Sequence, residues 1–89
     1  MTRIEWKGVK LTLKQFRIFT FIYKYHKEFG AMPTLVQVSE YFNLTPQNIG
    51  LYFRSFLKKN LFRKLNHKKY TFTNRGYQML KYFRDNNLI

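Results

Sequence analysis

No cysteine occurs in the 89 residues, which excludes disulfide staples and every cysteine-based zinc site. Acidic residues are nearly as scarce: Glu5, Glu28, Glu40 and Asp85 are the only four, and they are scattered across different segments. Paired carboxylates for acid–base catalysis cannot be assembled from them, and neither a nucleophile with an adjacent base nor a glycine-rich phosphate loop is present. The chain reads as a binding protein, not an enzyme. His26 and His67 have no third ligand at metal spacing, so neither metal nor cofactor is expected. No apolar run approaches the roughly 20 residues of a membrane span, and nothing resembles a signal peptide. The expectation is a soluble cytoplasmic protein with no membrane partner and no evident small-molecule ligand.

What is abundant is positive charge and aromatic rings. Seventeen Lys and Arg leave a net charge of +13, an imbalance that opposes compaction and favours a polyanionic partner. Nucleic acid is the first candidate, ahead of an anionic membrane surface or an acidic protein. Charge alone carries no sequence specificity. Phe, Tyr and Trp make up 20% of the chain, so a modest number of positions can bury much apolar area in a single domain over 1–89.

The segment 1–10, "MTRIEWKGVK", alternates Ile4 and Trp6 with charged residues before Gly8, and reads as a short strand or an arm that sets Trp6 onto the domain. Thr12-x-x-Gln15 is a capping box that opens the first helix. Along it Ile18, Phe19, Ile22, Tyr25, His26 and Phe29 recur at helical spacing, up to a stop at Gly30. Phe16, Phe21 and Tyr23 fall outside that stripe, so a further element or a second subunit should cover the back of this helix. Pro33 interrupts the chain, and Thr34-x-x-Gln37 caps a short second helix through Val38, Tyr41 and Phe42. Asn43 suits a left-handed turn. Thr45 caps a third helix over 46–59, with Pro46 at its first position and Ile49, Phe53, Phe56 and Leu57 on its buried face. "LFRKL" and "KYTFT" then flank "NHK" as a hairpin with a basic tip. Thr73 caps a last helix from 74 to about 86, with Tyr77, Leu80 and Phe83 along one side.

Helix, helix, tight turn, helix, then a hairpin is the order of a winged helix-turn-helix: a mainly α fold with a three-helix core, a basic wing and here an extra C-terminal helix. Ser39 is small where the second helix approaches the third, Leu44 fills the gap beneath the turn, and Ile49 anchors the third helix. Residues 11–62 also resemble the N-terminal DNA-binding domain of LexA-type repressors. The resemblance rests on the opening "LT..Q", the "G.MPT" connector, the second-helix pattern around Val38 and Ser39, and the Thr-Pro-Gln-Asn start of the third helix with its "F..F..K" continuation. "YTFTNRGYQML" is similar to the strand-then-helix exit of other winged-helix regulators, whereas LexA-type domains lack a fourth helix. The family's self-cleaving protease domain has no counterpart in these residues.

What the resemblance implies is duplex operator DNA read by the third helix of a dimer. The family's base-reading positions fall on Thr45, Gln47, Asn48, Gly50 and Leu51. Gln47 and Asn48 suit adenine edges, because a side-chain amide both donates and accepts. Leu51 either touches a thymine methyl or is poorly exposed, and Gly50 departs from the polar residue expected there. Arg54, one turn on, reaches a guanine or a phosphate. Thr34 and Gln37 at a helix N-terminus, Lys58 near a helix end, and Lys68 and Lys69 at the hairpin tip are the candidates for phosphate contacts. Tyr82 and Phe83 in the last helix are the candidates for a homodimer interface. The leading expectation is a small sequence-specific repressor. A replication or recombination accessory of a mobile element, binding single-stranded or forked DNA, is the alternative, with exposed aromatics as stacking platforms. A protein-binding module is the third reading.

Overall fold

The computed structural model describes residues 3–66 and 69–89. Two antiparallel hairpins and four helices follow one another along the chain. Strands β1 (Arg3–Trp6) and β2 (Val9–Thr12) come first, then α1 (Leu13–Phe29), α2 (Leu35–Phe42) and α3 (Pro46–Lys58). Strands β3 (Phe62–Asn66) and β4 (Lys69–Phe72) precede the last helix, α4 (Asn74–Asp85). Most of the ordered residues are helical, as the sequence predicts.

Residues 3–12 form more than a strand or an arm. Lys7 and Gly8 both take positive φ, 46° and 82°, so Trp6 pairs with Val9 across a two-residue turn. Positive φ at both central residues gives a turn whose twist matches that of paired strands. Ile4, Trp6, Val9 and Leu11 point inward while Arg3, Glu5, Lys10 and Thr12 point out, the period-two alternation of a half-buried hairpin. This hairpin packs on α1 and supplies part of the cover that its apolar back requires. Its far side is tied to α4: the ammonium of Lys7 and the guanidinium of Arg75 lie 5.3 Å and 5.6 Å from the Trp6 ring centre, and Arg75 donates to the Lys7 carbonyl at 3.5 Å.

Helix boundaries follow the local chemistry. Thr12 and Gln15 close a reciprocal capping box, as do Thr34 and Gln37. Thr45 and Thr73 accept from the Asn48 and Gly76 amides. Each such cap contributes about 1 kcal/mol. At the other ends, Gly30 stops α1 with φ 73°, and Asn43, Asn60 and Asn87 take φ of 56°, 60° and 57°. After α3 the Leu61 amide donates to the Phe56 carbonyl and the Asn60 amide to that of Leu57, the paired bonds of a Schellman motif. The same pair recurs after α4, from Leu88 to Phe83 and from Asn87 to Arg84. Asparagine serves here because its short polar side chain tolerates the left-handed region better than most.

Phe19 of α1 is the centre of the core, fully buried with its ring 5.1 Å from that of Phe56, 5.7 Å from Phe62 and 5.3 Å from Phe72. Phe56, Phe62 and Phe83 are likewise closed off from solvent. Burying a phenylalanine contributes about 1.5–3 kcal/mol, and edge-to-face pairs such as Phe19 with Phe56 add about 0.5–1.5 kcal/mol. Ser39, 3% exposed, donates to the Val36 carbonyl at 2.7 Å, so its hydroxyl is satisfied where α2 turns toward α3.

Several aromatic assignments need correction. Phe29, at the end of the helically spaced stripe of α1, is 62% exposed. Tyr41 is 69% exposed and Tyr77 42%, although each sits at core-like spacing. Phe16 and Tyr23 are packed within the chain, edge-on to Phe83 at 5.0 Å and to Phe72 at 6.2 Å. The β3–β4 hairpin alternates less than its sequence suggests. Only Phe62 of β3 is buried, and a bulge between Lys64 and Asn66 turns Leu65 out to 55% exposure.

Candidate functional site

Helix α3 divides cleanly. Ile49, Phe53 and Phe56 are its buried residues, and Leu57 packs against the core more loosely. Successive residues turn about 100° around the helix axis. Gln47, Asn48, Leu51, Arg54 and Lys58 therefore share the opposite arc, and all five are exposed. Leu51 is 58% exposed, which removes the alternative that it is tucked away. Gly50 sits at the flank of this arc, half-buried, with no atom within 4 Å of the point where a Cβ would stand.

The start of the arc is held rigidly. The Thr45 hydroxyl accepts from the Asn48 amide at 3.2 Å, which fixes its orientation and leaves its O–H free to donate. Gln15 of α1 caps its own helix through Oε1 and donates through Nε2 to the Ser55 hydroxyl at 3.2 Å. One amide thereby fixes the rotation of α3 against the start of α1. A shallow groove runs along this seam, lined by Gln15, Leu44, Asn48, Leu51, Tyr52 and Ser55.

Thr34 and Gln37 are exposed at the N-terminus of α2, bonded to each other at 2.8 Å and 3.1 Å. Lys69 is exposed on β4, and Lys68 lies outside the described residues. Sequence reasoning passed over Arg63 and Lys64, both exposed on β3, where the Lys64 ammonium lies 5.6 Å from the Tyr70 ring centre. Their signal was available: two adjacent cations in a strand with a single buried residue. It also missed a cleft of about 650 Å³ between the connector and the second hairpin, lined by His26, Met32, Pro33, Phe53, Leu65 and Tyr70 among others.

The pair assigned to dimerisation is split. Phe83 is completely buried within the chain, against Phe16 and beside Tyr82, so it has no surface to offer a second copy. Tyr82 is 37% exposed and Leu88 equally so.

Chemically, the outer arc of α3 presents two side-chain amides that each donate and accept, one apolar tip and one guanidinium fork. Arg63, Lys64 and Lys69 are exposed cations on the β3–β4 hairpin, whose first strand packs against α3. Among the described residues no group of three His, Cys, Asp or Glu could hold a metal ion, and no helix is long and apolar enough to cross a membrane. Compared with known proteins, the chain matches no protein-family model and no curated protein.

Proposed function

We propose that this chain is a winged helix-turn-helix protein of the kind its resemblance to LexA-type domains implies, and that it binds duplex DNA in a sequence-specific way. In this reading α3 lies in the major groove and the β3–β4 hairpin runs along neighbouring backbone. The observation that carries it is the exposed arc of α3, where Gln47, Asn48, Leu51 and Arg54 stand together on a helix whose other side is anchored in the core. Gln47 and Asn48 address adenine edges, Leu51 a thymine methyl, and Arg54 a guanine or a phosphate. Thr34 and Gln37 bring the N-terminus of α2 to a phosphate, and Lys58, Lys69, Arg63 and Lys64 add backbone contacts. Occupation of a promoter would repress transcription. Pairing of two copies through Tyr82 and Leu88 on the DNA, where phosphates neutralise the positive charge, would give the half-site spacing of an operator.

Selection of bound sequences from a random duplex pool tests the proposal. A recurring motif, palindromic if two copies pair, is the expected result. Competition in which scrambled duplex displaces every selected sequence equally well across a salt series would refute it, because that behaviour is charge-driven binding alone.

A further inference from the structure

Four aromatic rings form a row on the outer side of α1 and α2, apart from the arc of α3. Tyr41 stacks on Phe21 with ring centres 4.2 Å apart and planes at 29°. Phe21 lies 6.2 Å from Tyr25, and Tyr25 lies 4.6 Å from Phe29. Phe42 stands edge-on to both Tyr41 and Phe21, at 5.0 Å and 5.5 Å, and wedges the first pair in place. The two ends of the row are the most exposed large apolar side chains described, Tyr41 at 69% and Phe29 at 62%. From Phe21 to Phe29 the row follows eight residues of helix, about 12 Å.

Cations border it. Arg17 and Lys24 line a shallow pocket with Phe21, Tyr41, Phe42 and Thr20. At spacings of three and four residues, Lys14, Arg17, Phe21, Lys24, Tyr25 and Glu28 share one stripe of α1, which therefore carries three cations and one carboxylate. An exposed apolar row of this length marks a binding surface. Charge selects its occupant. A two-fold pairing of this face with itself would bring together two patches that each carry Lys14, Arg17 and Lys24 against the single carboxylate of Glu28, a net like-charge contact, since an isologous interface uses the same patch twice. The occupant must be anionic and must offer flat apolar faces to the rings. An unpaired nucleic-acid strand has both properties, with phosphates for the cations and bases for the aromatics.

We propose that the outer face of α1 and α2 is a stacking platform for single-stranded nucleic acid, with Tyr41 and Phe29 as the base-contacting rings and Arg17 and Lys24 as the phosphate contacts. This activity is separate from duplex recognition by α3, and neither depends on the other.

Fluorescence anisotropy on labelled oligo-dT, oligo-rU and a mixed-sequence duplex tests it, with single strands of about 15 nucleotides, near the upper end of the footprint of one small binding domain. The wild-type protein should bind the single strands. Tyr41→Ala and Phe29→Ala should each weaken that binding about tenfold, the loss typical of one stacked base, while Tyr41→Trp retains it. Arg17→Gln with Lys24→Gln, which leaves the ring packing untouched, should weaken it as well and flatten its salt dependence. Duplex binding should change less than about twofold in all four, whereas Gln47→Ala with Asn48→Ala should show the converse pattern. Unequal losses on oligo-dT and oligo-rU would identify which of the two strands the platform prefers and support it in either case. Failure of the wild type to bind either single strand, or equal losses on single strands and duplex, would overturn the proposal. So would unchanged single-strand binding in the aromatic variants. If those variants instead turned a sedimenting dimer into a monomer, the face would belong to a second copy.

Discussion

Two glycines inside helices make a matched test of the packing described above. At Gly76, in the first turn of α4, an added Cβ would lie 2.5 Å from the Leu61 carbonyl oxygen, with the Leu61 carbonyl carbon at 3.4 Å. That oxygen cannot rotate away. It is backbone, and it already accepts from the Thr73 amide at 3.0 Å in the contact that docks the start of α4. A Gly76→Ala chain must therefore push α4 away from Leu61, and Leu61, Phe62, Met79, Leu80 and Phe83 are all buried in that seam. Overpacking of this kind costs about 1–3 kcal/mol, offset by about 1 kcal/mol from the better helix propensity of alanine, and a net loss of about 0–2 kcal/mol is expected. At Gly50, in α3, the added Cβ meets nothing within 4 Å. Only the propensity gain applies there, and Gly50→Ala should stabilise by about 0.8–1.0 kcal/mol. The same chemical change should thus split the two proteins by about 1–3 kcal/mol, the larger part of it from overpacking at Gly76, which at about 4–8 °C per kcal/mol for a domain of this size is at least about 4 °C in Tm. Urea denaturation followed by far-UV circular dichroism measures it. A Gly76→Ala protein stabilised as much as Gly50→Ala would refute the tight docking of α4 on Leu61. Duplex titration of the stabilised Gly50→Ala protein then shows whether DNA fills the open space over that flank: an affinity loss means close approach of the backbone, an unchanged affinity means none.

Other outcomes follow from single contacts. Thr34→Ala removes the hydroxyl half of the α2 capping box and should cost about 1 kcal/mol in urea denaturation. Asn43→Val forces a β-branched residue to φ 56° and should destabilise by about 1–3 kcal/mol, with Asn43→Gly close to neutral. Phe19→Ala empties the centre of the core and should cost about 3–5 kcal/mol, a large share of the stability of so small a domain, visible as a loss of cooperative thermal unfolding. Gln15→Met keeps the length of the side chain but loses its half of the α1 capping box and the bond to Ser55; destabilisation of about 1–2 kcal/mol in denaturant is expected.

The parts of the fold legible in the sequence are those decided within a few residues. Thr12, Thr34, Thr45 and Thr73 each mark a helix start because the cap is a local hydrogen bond, and Asn43 and Asn60 mark ends because few other residues tolerate positive φ. The first hairpin was half legible. Its alternation is visible, but Lys-Gly lacks the Asn-Gly or Asp-Gly signal of a two-residue turn, so the return strand was missed. Periodicity shows which residues share a stripe and is silent on how far a partner element reaches along it, which is why the exposure of Phe29 and Tyr41 could not be read from their spacing. Phe83 looked spare for the same reason: its partner Phe16 belongs to a helix far away in sequence. On the candidate site, the rotation of α3 fixed by Ile49, Phe53 and Phe56 made the outward set of Gln47, Asn48, Leu51 and Arg54 readable in advance. The aromatic row was not readable, because it is assembled across two helices.

The hairpin at the start of the chain has a practical consequence. Trp6 is the only tryptophan, it is 8% exposed, and it is clamped between Lys7 and Arg75 at the joint with α4. All tryptophan emission therefore comes from one joint, on elements other than the outer arc of α3. Release of the hairpin from α4 would shift that emission while the helical circular dichroism stayed constant, so the two signals separate local opening from global unfolding. The protein carries its own optical gauge of whether its first and last elements remain fastened, and a ligand on α3 need not disturb the reading.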